Sequence, residues 1–339
     1  MPPPTPVLRL HAAGDVRLHA EPVPVPEPGQ ALVRITAVGL CGSDRHWYAE
    51  GSTGTAGLTR PLVLGHEMGG LITSGPRSGT RVAVEPADPC GHCPPCRAGH
   101  ANLCPDVRFA GHSITDGGLR SIMAWPERLL MPVPDSIDPD DVSLLEPLGI
   151  ALHAVDLGHV RAGMSAGVFG CGPVGLLLIR ALRAAGVDPI LATDRLPHRV
   201  AAALASGAKE ARLAGEDGQP EGVDAWGPVD VAFEAAGVDE ALETALRMVR
   251  IGGRVVVVGI PSTPRTSVWA ALAREKGLTL AFSRRMKSQH MLRAIELVDQ
   301  GAVDLSGIIT SRLALVDGRA TLAELAARSG LKIVVRPSA

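Results

Sequence analysis

The 339-residue chain is short of aromatic side chains: one Tyr, four Phe and four Trp make up 3% of it. A surface that stacks exposed bases needs several aromatic platforms, so single-stranded nucleic acid is not an expected partner. Positive charge is not in surplus either. Lys and Arg number 33 against 35 Asp and Glu, a formal net charge of -2, which leaves no basic face for a phosphate backbone. No uncharged apolar run is long enough to cross a bilayer, so no membrane partner is expected. The opening MPPPTPVLRLHAAG lacks a basic stretch leading into an apolar run, and the reading therefore places the protein in a reducing cytoplasm. Long charge runs and internal repeats are missing too. What remains is an ordinary globular composition, 46% hydrophobic, sufficient for about two domains.

Cysteine is scarce, six in all, yet Cys90, Cys93, Cys96 and Cys104 crowd into CGHCPPCRAGHANLC. A disulfide cluster needs an oxidising compartment and belongs mainly to small secreted chains. In a reducing compartment this spacing points instead to a closed tetrahedral zinc site, each thiolate about 2.3 Å from an ion with no open position. Gly91, Pro94, Pro95 and Gly99 suit a turning loop more than a helix or strand. The ion would brace a lobe, residues 90–104, that has little core of its own.

Two textures follow one another along the chain. Up to about residue 147, short β-type runs such as ALVRITAVGL and RVAVEP alternate with Pro and Gly. From there to about 285, β-type runs alternate with Ala/Leu/Arg helical patterns: AGVFG, PVGLLLIRALRAAG, PILATD, RVAAALASGA, VDVAFEAAG, DEALETALRMVR, RVVVVGIP. Such alternation predicts βαβ units and a parallel sheet covered by helices. The tail adds helical MLRAIELVDQG and ATLAELAARSG and a strand, LKIVVRP. The fold class is therefore α/β.

At the first β-to-α junction stands Gly170-Cys171-Gly172-Pro173-Val174-Gly175. In a dinucleotide-binding turn the first glycine permits the tight bend, the second admits a pyrophosphate and the third lets helix and strand pack closely. The helix N-terminus then faces the phosphates. Pro173 is tolerated because first-turn amides have no intrahelical partner. Asp194 ends the next strand, where a carboxylate accepts the adenosine ribose hydroxyls and repels a 2'-phosphate, which favours NAD. Arg195 follows it and is expected near the adenine; Arg199 completes the cofactor set. Cys171 has no second ligand nearby and reads as a small residue.

A second set of metal-capable residues lies outside the cysteine loop: Cys41 in VGLCGSDRHWY, His66 and Glu67 in PLVLGHEMGG, and Glu146 in LLEPLGIALHA. Each alone has a plain reading, a buried thiol, a hydrogen-bonded imidazole or a surface turn. Together with a nicotinamide fold they suggest an open zinc site of mixed S, N and O donors, with one position left for water or substrate.

With these motifs in place, the chain resembles the zinc-dependent medium-chain dehydrogenase/reductases, in the sorbitol (polyol) and threonine dehydrogenase branch. The resemblance runs over essentially the full length: CGSDRHWY, GHEMGG, the four-cysteine lobe, DGGLRSIMAWPERLLMPVPDSI, EPLGIALHA, GCGPVG, the Asp194 strand end and GLKIVVRP. It implies a GroES-like, mostly-β catalytic domain (1–147 and 286–339) and a Rossmann NAD-binding domain (148–285). It implies a catalytic zinc on Cys41, His66 and Glu67, with Glu146 an alternating ligand or a partner of the zinc-bound water, and a structural zinc on the lobe. Ser43 would take the substrate proton and His46 would carry it on; alternatively, Ser43 caps a helix starting at Asp44. A homodimer or homotetramer is implied as well. The stretch LITSGPRSGT is shorter than the family's hairpin region there, and FSRRMKSQH departs from the polyol enzymes' aromatic-containing stretch.

The expected reaction is NAD-dependent oxidation of a secondary alcohol on a polyol, sugar or cyclitol to the ketone by hydride transfer. L-threonine 3-dehydrogenase, acting on an amino alcohol, is the alternative within enzymes. A catalytically silent NAD-binding sensor is the alternative of another class, and the presence of Cys41, His66 and both glutamates weighs against it. Candidate contacts to the substrate's hydroxyls are Trp47, Tyr48, Glu146, Arg284 and Arg285.

Overall fold

The computed structural model describes residues 3–54, 56–215, 226–261 and 265–337. The chain divides into two compact units: Met1–Glu146 with Lys287–Gln300 and Leu305–Ala339, and Pro147–Met286 with Gly301–Asp304.

The first unit is built on a seven-stranded sheet. Its order is Leu130–Pro132, Arg81–Val84, Glu67–Ile72, Gln30–Gly39, Lys332–Arg336, Ile309–Ala314, with Ile122–Pro126 also paired to Gln30–Gly39. The long central strand alternates as its sequence demands. Ala31, Val33 and Ile35 face inward while Arg34 is exposed, and each fully buried aliphatic side chain contributes roughly 1.5–3 kcal/mol. Toward its end the alternation stops and Ala37, Val38 and Leu40 are all buried, where Lys332–Arg336 pairs alongside. A three-stranded sheet of Thr5–Ala12, Asp15–Glu21 and Leu62–Val63 packs into the same core through Val7, Leu10, Leu62 and Leu64. The shortened stretch between Gly70 and Arg81 closes a regular antiparallel hairpin, Leu71 opposite Arg81.

The second unit holds a six-stranded parallel sheet ordered Glu210–Leu213, Ile190–Asp194, Ala166–Phe169, Val229–Glu234, Val249–Val257, Thr279–Phe282. The chain order reverses at Ala166–Phe169, the switch point where doubly wound sheets open a crevice. Helices Pro173–Ala184, Pro197–Ala205 and Asp239–Met248 connect these strands. The architecture is α/β, a mostly-β unit joined to a Rossmann-type one. One boundary differs from the helical reading of DEALETALRMVR: the helix stops at Met248, and Val249 already pairs with Val229. The β-branched Val249 and Ile251 suit a strand better than a last helical turn.

Candidate functional site

The first unit's site begins with sheet register. Gly39 stands opposite Glu67 in the antiparallel pair Gln30–Gly39 and Glu67–Ile72. Cys41, two residues past one strand, and His66, just before the other, are therefore delivered to the same place. Cys41, His66 and Glu67 each offer a ligand atom within 4.8 Å of the others.

Local structure orients these groups. Cys41 caps helix Gly42–Glu50, and Asp44 Oδ2 accepts the Cys41 backbone N–H at 2.9 Å. The other oxygen of Asp44 accepts the Gly65 N–H at 3.1 Å and lies 3.9 Å from His66 Nδ1. Asp44 is wholly buried, and burial pushes its carboxyl up. Burial would lower the His66 imidazole, but Asp44, Cys41 and Glu146 raise it well above the ordinary histidine value. The pocket is thus rich in negative charge and favours a cation.

Lys332 answers part of that charge. Its buried Nζ pairs with Glu67 Oε2 and donates to the Leu40 carbonyl at 3.0 Å. Glu67 Oε1, also buried, has no hydrogen-bond partner among the described residues. A buried carboxylate oxygen without a partner beside a thiol and an imidazole fits a bound zinc ion. Glu146 opens helix Leu145–Leu157 and is buried. Its carboxyl stands outside the three-ligand group, and burial together with Glu67 and Asp44 pushes it up. Glu85, just past strand Arg81–Val84, is buried with Oε2 unpartnered among the described residues, and burial with Glu146 nearby pushes it up to about 8.

The four cysteines of the lobe also converge. Their sulfurs lie within 4.8 Å of one another and all are free thiols. The Cys93–Cys104 and Cys104–Cys90 sulfur distances are 3.8 and 3.5 Å, near the edge of about 3.8 Å that a tetrahedron with 2.3 Å arms requires. The lobe is not all loop. Pro94–Arg97 forms one helical turn, because its prolines fall where missing amides cost nothing.

In the second unit, Gly170 takes φ +108°, and a Cβ there would lie 2.6 Å from the Ala236 nitrogen. A Cβ on Gly175 would lie 2.0 Å from the Gly170 carbonyl oxygen, so both positions need glycine. Gly172 is extended and caps helix Pro173–Ala184, with Pro173 and Val174 in its first turn. Asp194 accepts the Cys171 N–H at 2.7 Å and the Leu196 N–H at 3.0 Å, and Arg199 Nη1 lies 3.9 Å away. The carboxylate thus holds the glycine turn from beneath. Arg195 is exposed. Cys171 is buried and its thiol faces the Thr193 carbonyl.

Other expected residues are placed as follows. Helix Gly42–Glu50 starts before Ser43 and is capped by Cys41, so Ser43 is not a cap. His46 is buried, its Nδ1 2.8 Å from Glu50 Oε1 and its Nε2 3.3 Å from Arg45 Nη2. Because Arg only donates and an ionised Glu only accepts, the neutral ring carries its proton on Nδ1. Trp47 is a core residue, 1% exposed and in edge contact with His112; its indole is packed in the interior. Tyr48 packs against the same core. Arg284 is exposed, and Arg285 is half-buried with φ +53°.

Sequence reading missed Asp44, Glu85 and Lys332. Asp44 had a local signal, an acidic residue three positions after Cys41 in a capping pattern. Lys332 had a weaker one, a cation that opens a strand whose first four residues are all buried.

This fold and this donor set define a zinc-binding alcohol dehydrogenase. Residues 27–135 match the alcohol dehydrogenase GroES-like domain, and residues 173–300 match the zinc-binding dehydrogenase domain. The chain belongs to that family, the zinc-dependent medium-chain dehydrogenases of the polyol branch. It is 32% identical to sorbitol dehydrogenase of Bacillus subtilis over 315 residues, covering 90% of this chain and 89% of that protein. It is 34% identical to a protein named probable D-xylulose reductase A of Arthroderma otae, covering 96% and 95%. The solved structure of L-idonate 5-dehydrogenase from Escherichia coli superposes with a TM-score of 0.91 at 26% identity, covering 98% of each chain. The protein is an alcohol/polyol dehydrogenase enzyme with zinc and NAD(H) as cofactors. Among the described residues no helix is long and apolar enough to cross a membrane.

Proposed function

We propose that the protein oxidises a secondary hydroxyl of a polyol, sugar or cyclitol to the ketone, with NAD as hydride acceptor. The observation that carries the reading is the convergence of Cys41, His66 and Glu67 beside a buried lysine. Zinc held by these three residues would supply Lewis acidity toward a substrate hydroxyl. Glu146 stands close by as exchanging ligand or acceptor. Ser43 takes the substrate proton and His46, its tautomer set by Arg45 and Glu50, passes it on. The cysteine lobe holds the second zinc. Gly170, Gly172 and Gly175 admit the pyrophosphate, and Asp194, Arg195 and Arg199 meet the adenosine half, with NAD preferred over NADP. The catalytic domain is assigned to 1–147 and 286–339 and the cofactor domain to 148–285. A cytoplasmic homodimer or homotetramer suits this reading.

The relatives' names support polyhydroxy substrates over L-threonine. NADH formation across polyols, inositols, sugars and L-threonine at fixed NAD tests the proposal. A polyhydroxy secondary alcohol should give the highest kcat/KM. Turnover of L-threonine alone, or of nothing while zinc and NAD are bound, would overturn it.

A further inference from the structure

We infer that Lys332 is a resident counter-cation of the catalytic metal site, a positioning residue that keeps the site assembled without its ion and sets how tightly the ion is held. The inference rests on the reading that Cys41, His66 and Glu67 hold zinc.

The acidic groups gathered here are unusually many for a buried place. Asp44, Glu67, Glu85 and Glu146 are each 4% exposed or less, and Cys41 joins them. Taking carboxylates out of water is costly unless a cation stands nearby. A divalent ion meets that need when bound. Without it, Glu67 would lie beside Cys41, Asp44 and Glu146 with no divalent charge to hold together the turns that carry the ligands. Lys332 is placed to oppose this. It is 1% exposed, and its Nζ bridges Glu67 Oε2 and the carbonyl of Leu40, the residue before Cys41. One ammonium thereby ties both halves of the ligand set to strand Lys332–Arg336.

Space for this arrangement is reserved. A Cβ on Gly39 would lie 2.3 Å from Glu67 Oε2 and 3.3 Å from Lys332 Cε, so the glycine opposite Glu67 makes room for the pair. The pairing also divides the carboxylate between two cations. Oε2 is ion-paired with Lys332, and Oε1, with neither ion pair nor hydrogen bond among the described residues, would be left to the metal. Because like charges repel, the ammonium weakens the hold on a dication beside it. Lys332 therefore lends stability to the metal-free site and lowers its zinc affinity, which permits exchange without unfolding.

The test uses purified holoenzyme carrying Lys332→Met, Lys332→Arg, or Lys332→Met combined with Glu67→Gln. Chelator titration follows release of the first zinc equivalent, and thermal unfolding is followed before and after release. Lys332→Met should hold that zinc at least tenfold more tightly than wild type. Its zinc-depleted form should melt lower by roughly 5 °C or more, with a smaller change in the loaded form. Lys332→Arg should stay near wild type in both respects. The double variant should recover stability when depleted, since both charges are gone. Weaker or unchanged zinc binding in Lys332→Met, or equal loss of stability with and without zinc, would overturn the inference and show a packing role only. Should Lys332→Met fail to fold, rescue by Glu67→Gln decides the matter: no rescue overturns it. Cys41→Ser in an otherwise wild-type chain separates the two readings. If it keeps both zinc equivalents, the ligand assignment fails whatever Lys332 does.

Discussion

Asp44 reaches from the helix after Cys41 to the backbone N–H of Gly65, and so joins two ligand-bearing turns through one buried carboxylate. The donors it accepts are the amides flanking the metal ligands, so their geometry depends on it. Asp44→Ala leaves the buried Gly65 amide and the Cys41 amide without that acceptor. The expected loss is roughly 2–4 kcal/mol of stability, with lowered catalytic zinc content, measured by denaturant unfolding and zinc analysis. Asp44→Asn keeps one acceptor oxygen and should lose less. Full zinc content and wild-type stability in Asp44→Ala would contradict the bracing role.

Two zinc ions should leave at different rates. The lobe offers four thiolates and a closed shell, the other site one thiolate, and closed thiolate sites exchange slowly. Brief chelation should remove about one equivalent and abolish activity while circular dichroism stays unchanged. Simultaneous loss of both ions with unfolding would count against separate roles.

Cofactor choice should turn on Asp194. Replacing it with Ser removes the ribose acceptor and the charge that repels a 2'-phosphate, with Arg195 and Arg199 close at hand. NAD use should weaken and NADP use rise in kcat/KM. Because Asp194 also holds the Cys171 and Leu196 amides, Asp194→Ala should cost stability as well. An unchanged preference in Asp194→Ser would remove this strand end from the cofactor site.

The pH dependence of stability should carry the signature of Glu85. Burial raises its carboxyl from an ordinary 4.5 to about 8 in the folded protein. Between those values the native state keeps a proton that the unfolded chain releases, so stability falls as pH rises through the window. The contribution amounts to a few kcal/mol at most, about 1.4 per unit. Glu85→Gln should flatten the profile of unfolding free energy between pH 5 and about 8. A profile as steep as wild type would show that another group is responsible.

Arg285 is half-buried with a left-handed backbone, and the expectation that it meets the substrate's hydroxyls can be tested directly. Arg285→Ala should raise KM for the polyhydroxy substrate severalfold while zinc content and NAD affinity hold. Unchanged KM would leave Arg285 a surface cation. Ethanol turned over as efficiently as any polyol would overturn the polyhydroxy specificity itself.

Local sequence determined much of this protein. Four thiols within fifteen residues can meet after a short loop closes, and closing short loops costs little entropy, so the lobe was legible from spacing alone. The glycine turn was legible because strand, turn and helix are neighbours in the chain, and Gly175 is demanded by the Gly170 carbonyl five residues away; the crowding of Gly170 against Ala236 belongs to the tertiary structure. Cys41, His66 and Glu67 could be grouped as one metal-capable set from the sequence, but how they meet depends on Gly39 standing opposite Glu67 rather than one residue along. Trp47 shows the limit from the other side, because nothing beside the CGSD turn distinguishes a pocket ring from a core ring. Only the tertiary structure decided the placement of Lys332, whose ammonium meets the Leu40 carbonyl across 292 residues of sequence. Period and composition describe neighbours along the chain, whereas a buried charge finds its partner through the pairing of distant strands.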